Sequence, residues 1–71
     1  MKLEPRVFYY SSKYDMFVNT ESNDGPRIEI VGNACNLYIP AEASSTQQRF
    51  SLQCVRLWEK FNSATATIVY M

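Results

Sequence analysis

Short apolar stretches separated by turn-forming residues dominate the first half of the chain. Residues 6–10 and 14–18 are rich in β-branched and aromatic side chains, and the polar interruption between them predicts a hairpin. Residues 20–26 combine asparagine, aspartate, glycine and proline, which is the strongest turn signal in the sequence. Residues 27–31 alternate between polar and apolar side chains, which predicts a strand with one solvent-facing side.

A shorter strand candidate, residues 36–39, ends at Pro40. Gly32 and Asn33 precede it, and they are consistent with two arrangements: a tight turn between two strands, or a bend in one long strand. We favour the tight turn, which gives a second hairpin. Residues 65–71 have strong β-propensity, and we expect them to be tied into the sheet.

A single helix is predicted after these strands. Ser44 and Ser45 are each followed three positions later by a glutamine, which is the spacing of a capping box. Residues 40–42 could extend the helix backward, because proline is tolerated in a first turn, and its end is expected near residues 62–63. From residue 50 onward, apolar side chains recur at helical spacing and predict the face of the helix that packs on the sheet. These side chains are Phe50, Cys54, Leu57, Trp58 and Phe61.

Together these elements predict one α+β domain over residues 1–71. The expected fold is a small antiparallel sheet of three to five strands with one amphipathic helix packed on one face, in the order β-β-β-(β)-α-β. With 46% apolar residues the chain has enough side chains for a core, which argues against the disordered class. At 71 residues its stability margin is nevertheless expected to be small.

The residue types exclude most catalytic and cofactor chemistry. The chain has no histidine and only two glycines, so it lacks an imidazole base, a phosphate-binding loop and a dinucleotide fingerprint. We expect Cys35 and Cys54 to be buried, inert thiols, with a disulfide between helix and sheet as the alternative. Glu29 and Glu42 could form a carboxylate pair, but alternation predicts that Glu29 faces solvent. We therefore expect no enzyme, no catalytic residue, no metal and no cofactor.

Charge is balanced overall but uneven along the chain. Seven basic and seven acidic residues give a net charge of zero, so no global field attracts nucleic acid or an anionic membrane. Residues 1–13 and 43–71 each carry three basic residues against one acidic residue, whereas residues 14–42 carry five acidic residues against one basic residue. The sequence shows neither an apolar leader nor a membrane-spanning stretch, which predicts a cytoplasmic location.

Candidate partner-binding residues come from the helix and from the tyrosines. A polar stripe on the helix could meet phosphates or an acidic protein surface, and an apolar pair beside it could form a contact patch. Exposed tyrosines are favoured at interfaces and can stack on bases. The candidates are Arg49, Gln53, Arg56 and Lys60 in the stripe, Leu52 and Val55 in the pair, and Tyr9, Tyr10 and Tyr14 among the tyrosines.

Three hypotheses for function follow from these features. The first is a non-enzymatic protein–protein interaction module that binds and occludes a larger protein or complex, a style typical of the small inhibitors and regulators made by bacteriophages and mobile elements. The second is a nucleic-acid-binding protein that uses the basic helix stripe. The third is a subunit of a homo-oligomer, such as a homodimer, with sheet edges or Leu52 and Val55 at the contact.

Overall fold

The computed structural model describes residues 5–71. Residues 1–4 lie outside the described residues. The predicted basic amino-terminal segment and the expected absence of a leader depend in part on these residues. The predicted α+β class and element order are confirmed, including the optional fourth strand. The elements are β1 (Arg6–Ser11), β2 (Met16–Val18), β3 (Arg27–Val31), β4 (Ala34–Ile39), α1 (Ser45–Asn62) and β5 (Thr67–Tyr70).

Five strands form one sheet in the spatial order β2-β1-β3-β4-β5. The pairs β1–β2, β1–β3 and β3–β4 are antiparallel, as predicted. The pair β4–β5 is parallel, so the sheet is mostly rather than entirely antiparallel. The reason is the connection: a helix returns the chain to the end of the sheet where β4 began, and the following strand then runs in the same direction as β4.

Two hairpin turns position the first four strands. Gly32 has a φ of 56° and stands at the first position of the two-residue turn between β3 and β4, where a glycine is favoured. The favoured hairpin is therefore confirmed, although β4 begins two residues earlier than predicted. In the β1–β2 turn Asp15 adopts a φ of 55°, and its Oδ1 accepts a 2.7 Å hydrogen bond from the hydroxyl of Tyr10.

The helix begins where the sequence predicts. Ser44 is the N-cap: its hydroxyl accepts a 3.1 Å hydrogen bond from the backbone N–H of Gln47, and the side chain of Gln47 accepts from the backbone N–H of Ser44. Residues 40–42 form a turn and do not extend α1. Ser63 ends the helix with a φ of 49°, and its N–H donates to the carbonyl of Glu59.

The core lies between α1 and the central strands. Its buried members are Ile28, Cys35, Leu37, Ile39 and Val55. The side of the helix that packs on the sheet carries the small residues Ser51 and Val55, and both are completely buried. Burial of the Ser51 hydroxyl is tolerated because it donates a 2.7 Å hydrogen bond to the carbonyl of Gln47.

The predicted core-facing stripe of the helix is wrong for two of its five members. Leu57 is 56% exposed and Phe61 is 83% exposed, whereas Cys54 and Trp58 pack against the core from its edge. At 3.6 residues per turn the observed buried side is rotated by roughly 90° from the predicted one. Small side chains let the helix lie close to β4, so they take the position that the largest apolar side chains were expected to occupy.

Candidate functional site

Two of the predicted partner-binding residues are buried. Val55 is 0% exposed, so it cannot contribute to a surface patch. Tyr10 is 6% exposed, and its ring makes edge contacts with Phe17 and Phe50 at centroid distances of 5.9 and 5.4 Å. Alternation along β1 placed one of the adjacent tyrosines on the helix side of the sheet, and the structure identifies it as Tyr10. Both predictions of partner contact are corrected for this reason.

The predicted polar stripe is brought together on the solvent side of α1. It lines a shallow groove of about 560 Å³ together with Leu52 and Leu57. We call this region the outer helix surface, and we include Phe61, which lies one helical turn beyond Leu57. Its residues are Arg49, Leu52, Gln53, Arg56, Leu57, Lys60 and Phe61.

The apolar part of the outer helix surface differs from the predicted pair. Leu52 is partly buried and packs against the core while also lining the groove. Leu57 and Phe61 supply the exposed apolar area that Val55 was expected to supply. Sequence reasoning missed both because their helical spacing fits a core-facing stripe. The small residues Ser51 and Val55, one helical turn apart, were the sequence feature that indicated a different buried side.

Basic side chains dominate the electrostatics of the outer helix surface. The helix carries a single acidic residue, Glu59, whose side chain is only 17% exposed. Its carboxylate accepts hydrogen bonds from the backbone N–H of Ala66 at 2.7 Å and from Arg56 at 3.1 Å, and these bonds lower the pKa of Glu59. Within residues 5–71, Arg49 and Lys60 form no ion pair. Two cations are thus free to meet an acidic ligand.

The remaining two candidate tyrosines lie away from the outer helix surface. Tyr14 is exposed in the β1–β2 turn, where the Nζ atom of Lys13 lies 5.1 Å from the centre of its ring. Tyr9 points to the sheet face opposite the helix, since its neighbour Tyr10 faces α1. The structure therefore does not unite the tyrosines and the helix stripe in one site.

The sheet face away from the helix carries a cross-strand row that the sequence did not reveal. One residue from each strand contributes to it: Val18, Tyr9, Arg27, Tyr38 and Val69. The guanidinium of Arg27 lies 4.4 Å from the ring centre of Tyr38, and the hydroxyl of Tyr38 donates to Glu29 at 3.4 Å. Tyr38 thus contacts both the positive charge of Arg27 and the negative charge of Glu29, so Glu29 has a hydrogen-bond partner within the fold.

Neither cysteine has the features of a reactive thiol. Cys35 is buried and Cys54 is half-buried, and both are free rather than joined in the alternative disulfide. Burial raises the pKa of each thiol, which disfavours the nucleophilic thiolate. Among residues 5–71 no group of three or more histidine, cysteine, aspartate or glutamate side chains is arranged to hold a metal ion.

In comparisons with known proteins, no family model, no curated protein and no solved structure matches the chain. Within the part of the chain that the structure describes, no helix has the length and hydropathy needed to cross a membrane.

Proposed function

We propose that this chain is a protein-binding module that docks through its outer helix surface onto an acidic, amphipathic segment of a larger partner and thereby covers that segment. The observation that carries the proposal is the exposure of Leu57 and Phe61 beside a row of basic side chains. The bacteriophage-type inhibitor predicted from size and style stays a prediction.

The apolar component favours a protein partner. Leu57 and Phe61 lie one turn apart, and Leu52 lines the same groove as Leu57. Removing large apolar side chains from water contributes about 25 cal/mol for each Å² buried, and buried aromatic anchors dominate many interfaces. An amphipathic partner helix can place its own leucines against this area.

The charged component determines which amphipathic segment fits. Arg49, Arg56 and Lys60 line the groove with the leucines, and Glu59 pairs with Arg56 alone among these cations. A partner segment with acidic residues flanking its apolar side would therefore find complementary charges along the groove, which raises the association rate and fixes orientation.

A nucleic-acid ligand is the second candidate for the same residues. Arg56 is paired with Glu59 at 3.1 Å, so Arg49 and Lys60 are the cations of this surface without an ion pair among residues 5–71, for a phosphate backbone as for an acidic peptide. The apolar lining therefore decides between the two ligands: Leu52 and Leu57 line the groove, and a phosphate backbone would gain nothing from them. The geometry thus supports the protein ligand better.

Titration of the isotopically labelled chain with a synthetic helical peptide tests the proposal. The peptide carries leucines along one side and glutamates on both flanks, and its control has the same composition in scrambled order. We expect saturable amide shift changes centred on Leu52, Gln53 and Leu57 with the patterned peptide only. Equal responses to both peptides, or responses confined to the β1–β2 turn, would contradict the proposal.

An oligothymidylate titration separates the two candidates. The protein-binding proposal predicts no saturable shift changes on the outer helix surface in low salt. Binding that weakens steeply with salt and disappears when Arg49 and Lys60 are replaced by glutamate would instead support the nucleic-acid function.

A further inference from the structure

We infer that the free edge of β5 pairs in antiparallel fashion with β5 of a second copy of this chain, about a two-fold axis at Val69. This inference concerns a different surface from the outer helix surface and does not depend on the proposed function.

The pairing of β5 with β4 determines which backbone N–H and C=O groups of β5 point away from the sheet. Among residues 5–71, β5 pairs with β4 alone. The N–H of Met71 donates a 2.9 Å hydrogen bond to the carbonyl of Ile39, so the backbone groups of Met71 face β4. Backbone direction alternates along a strand, and therefore Val69 also faces β4 while Ile68 and Tyr70 face outward.

The two edges of the sheet differ in the features that prevent an edge strand from pairing with another chain. The β2 edge has only three residues, and charged residues such as Lys13, Asp15 and Glu21 flank it. Natural sheets use short strands and charges of this kind to prevent edge pairing. The strand β5 is only one residue longer, but residues 61–71 contain no charged side chain and no proline that would oppose pairing at its edge.

One register makes the β5 edge complementary to itself. With Val69 opposite Val69 of the second copy, Ile68 of each copy lies opposite Tyr70 of the other. Those Ile68–Tyr70 pairs are the hydrogen-bonded pairs of an antiparallel ladder, and each exchanges both N–H···O bonds. Tyr70, which is 64% exposed, then packs its ring beside an isoleucine, a favourable cross-strand pair. No like charges meet across this contact.

Sedimentation velocity over a concentration series tests the inference with the full chain. The wild type is expected to show a monomer–dimer equilibrium. Tyr70→Pro should weaken it about tenfold or more, because it removes an outward N–H while leaving the β4 ladder intact. The matched control, Met16→Lys on the β2 edge, should dimerise like the wild type.

Disulfide trapping provides the second measurement, and it holds even if Tyr70→Pro fails to fold. In Val69→Cys the introduced thiols of the two copies would meet at a non-hydrogen-bonded pair, where the Cβ separation suits a disulfide. We expect mild oxidation to cross-link this variant much faster than Thr67→Cys, whose residue lies opposite Met71 of the second copy. A monomeric wild type, or equal cross-linking of the two variants, would overturn the inference.

Discussion

The backbone N–H of Ala66 donates a 2.7 Å hydrogen bond to Oε2 of Glu59, which links the last turns of α1 to the segment that leads into β5. The same carboxylate accepts a hydrogen bond from Arg56 through its other oxygen. One side chain thus connects the helix to the segment before the edge strand and also pairs with Arg56, one of the three cations that line the groove.

This arrangement predicts a specific dependence of stability on pH. The pKa of Glu59 is lowered in the folded state by its hydrogen bonds to Ala66 and Arg56. The resulting stabilisation is therefore present above the pKa of an unfolded-state glutamate and is lost as pH falls through the lower folded-state pKa. Denaturant unfolding across this acidic range should show a smaller pH dependence for Glu59→Gln than for the wild type.

The control for this experiment is Glu42→Gln, which changes an exposed carboxylate in the turn before α1. It should retain the pH dependence of the wild type. If Glu59→Gln and Glu42→Gln give the same pH profile, the hydrogen bond to Ala66 does not contribute to stability in solution.

The orientation of the helix predicts opposite outcomes at two neighbouring positions. Val55→Ala should lower the free energy of unfolding by about 2 kcal/mol, because it leaves a cavity at a completely buried site. Leu57→Ala should change it by no more than about 0.5 kcal/mol, because Leu57 is mostly exposed. Urea denaturation measures both. A larger loss of unfolding free energy for Leu57→Ala than for Val55→Ala would contradict the observed orientation and support the core-facing stripe predicted from the sequence.

The end of the helix offers a stabilising substitution. Ser63 holds a φ of 49°, a conformation that glycine adopts without the steric cost of a Cβ atom. Ser63→Gly should therefore raise the free energy of unfolding by roughly 0.5–1 kcal/mol. Gln53→Gly, in the exposed helix interior, should lower it by about 1 kcal/mol. Thermal unfolding of the two variants should shift in opposite directions.

Features governed by local sequence could be predicted. The cap at Ser44 and the turn at Gly32 depend on residues within a few positions of each other, and both are found where expected. The end of the helix near residue 62 follows from the same local rules. The fold class was predictable because it follows from the order of these elements.

Features governed by packing could not be predicted. The face that α1 buries depends on how closely the helix approaches β4, and this distance favoured Ser51 and Val55 over the larger Leu57. The sequence therefore predicted that Arg49, Arg56 and Lys60 share one side of the helix, but it did not predict that Leu57 and Phe61 are exposed beside them. The parallel direction of β5 likewise depends on where the helix ends in space rather than on the composition of the strand.

The central claim is that Leu57 and Phe61 are free to anchor an acidic amphipathic partner. It is tested most directly by the dissociation constant of the leucine–glutamate peptide for the wild type and for Leu57→Ser/Phe61→Ser. We predict binding to the wild type, at least about tenfold weaker binding to the double variant, and an unchanged thermal midpoint. Equal affinities, no binding to the wild type, or unfolding of the double variant would contradict the account.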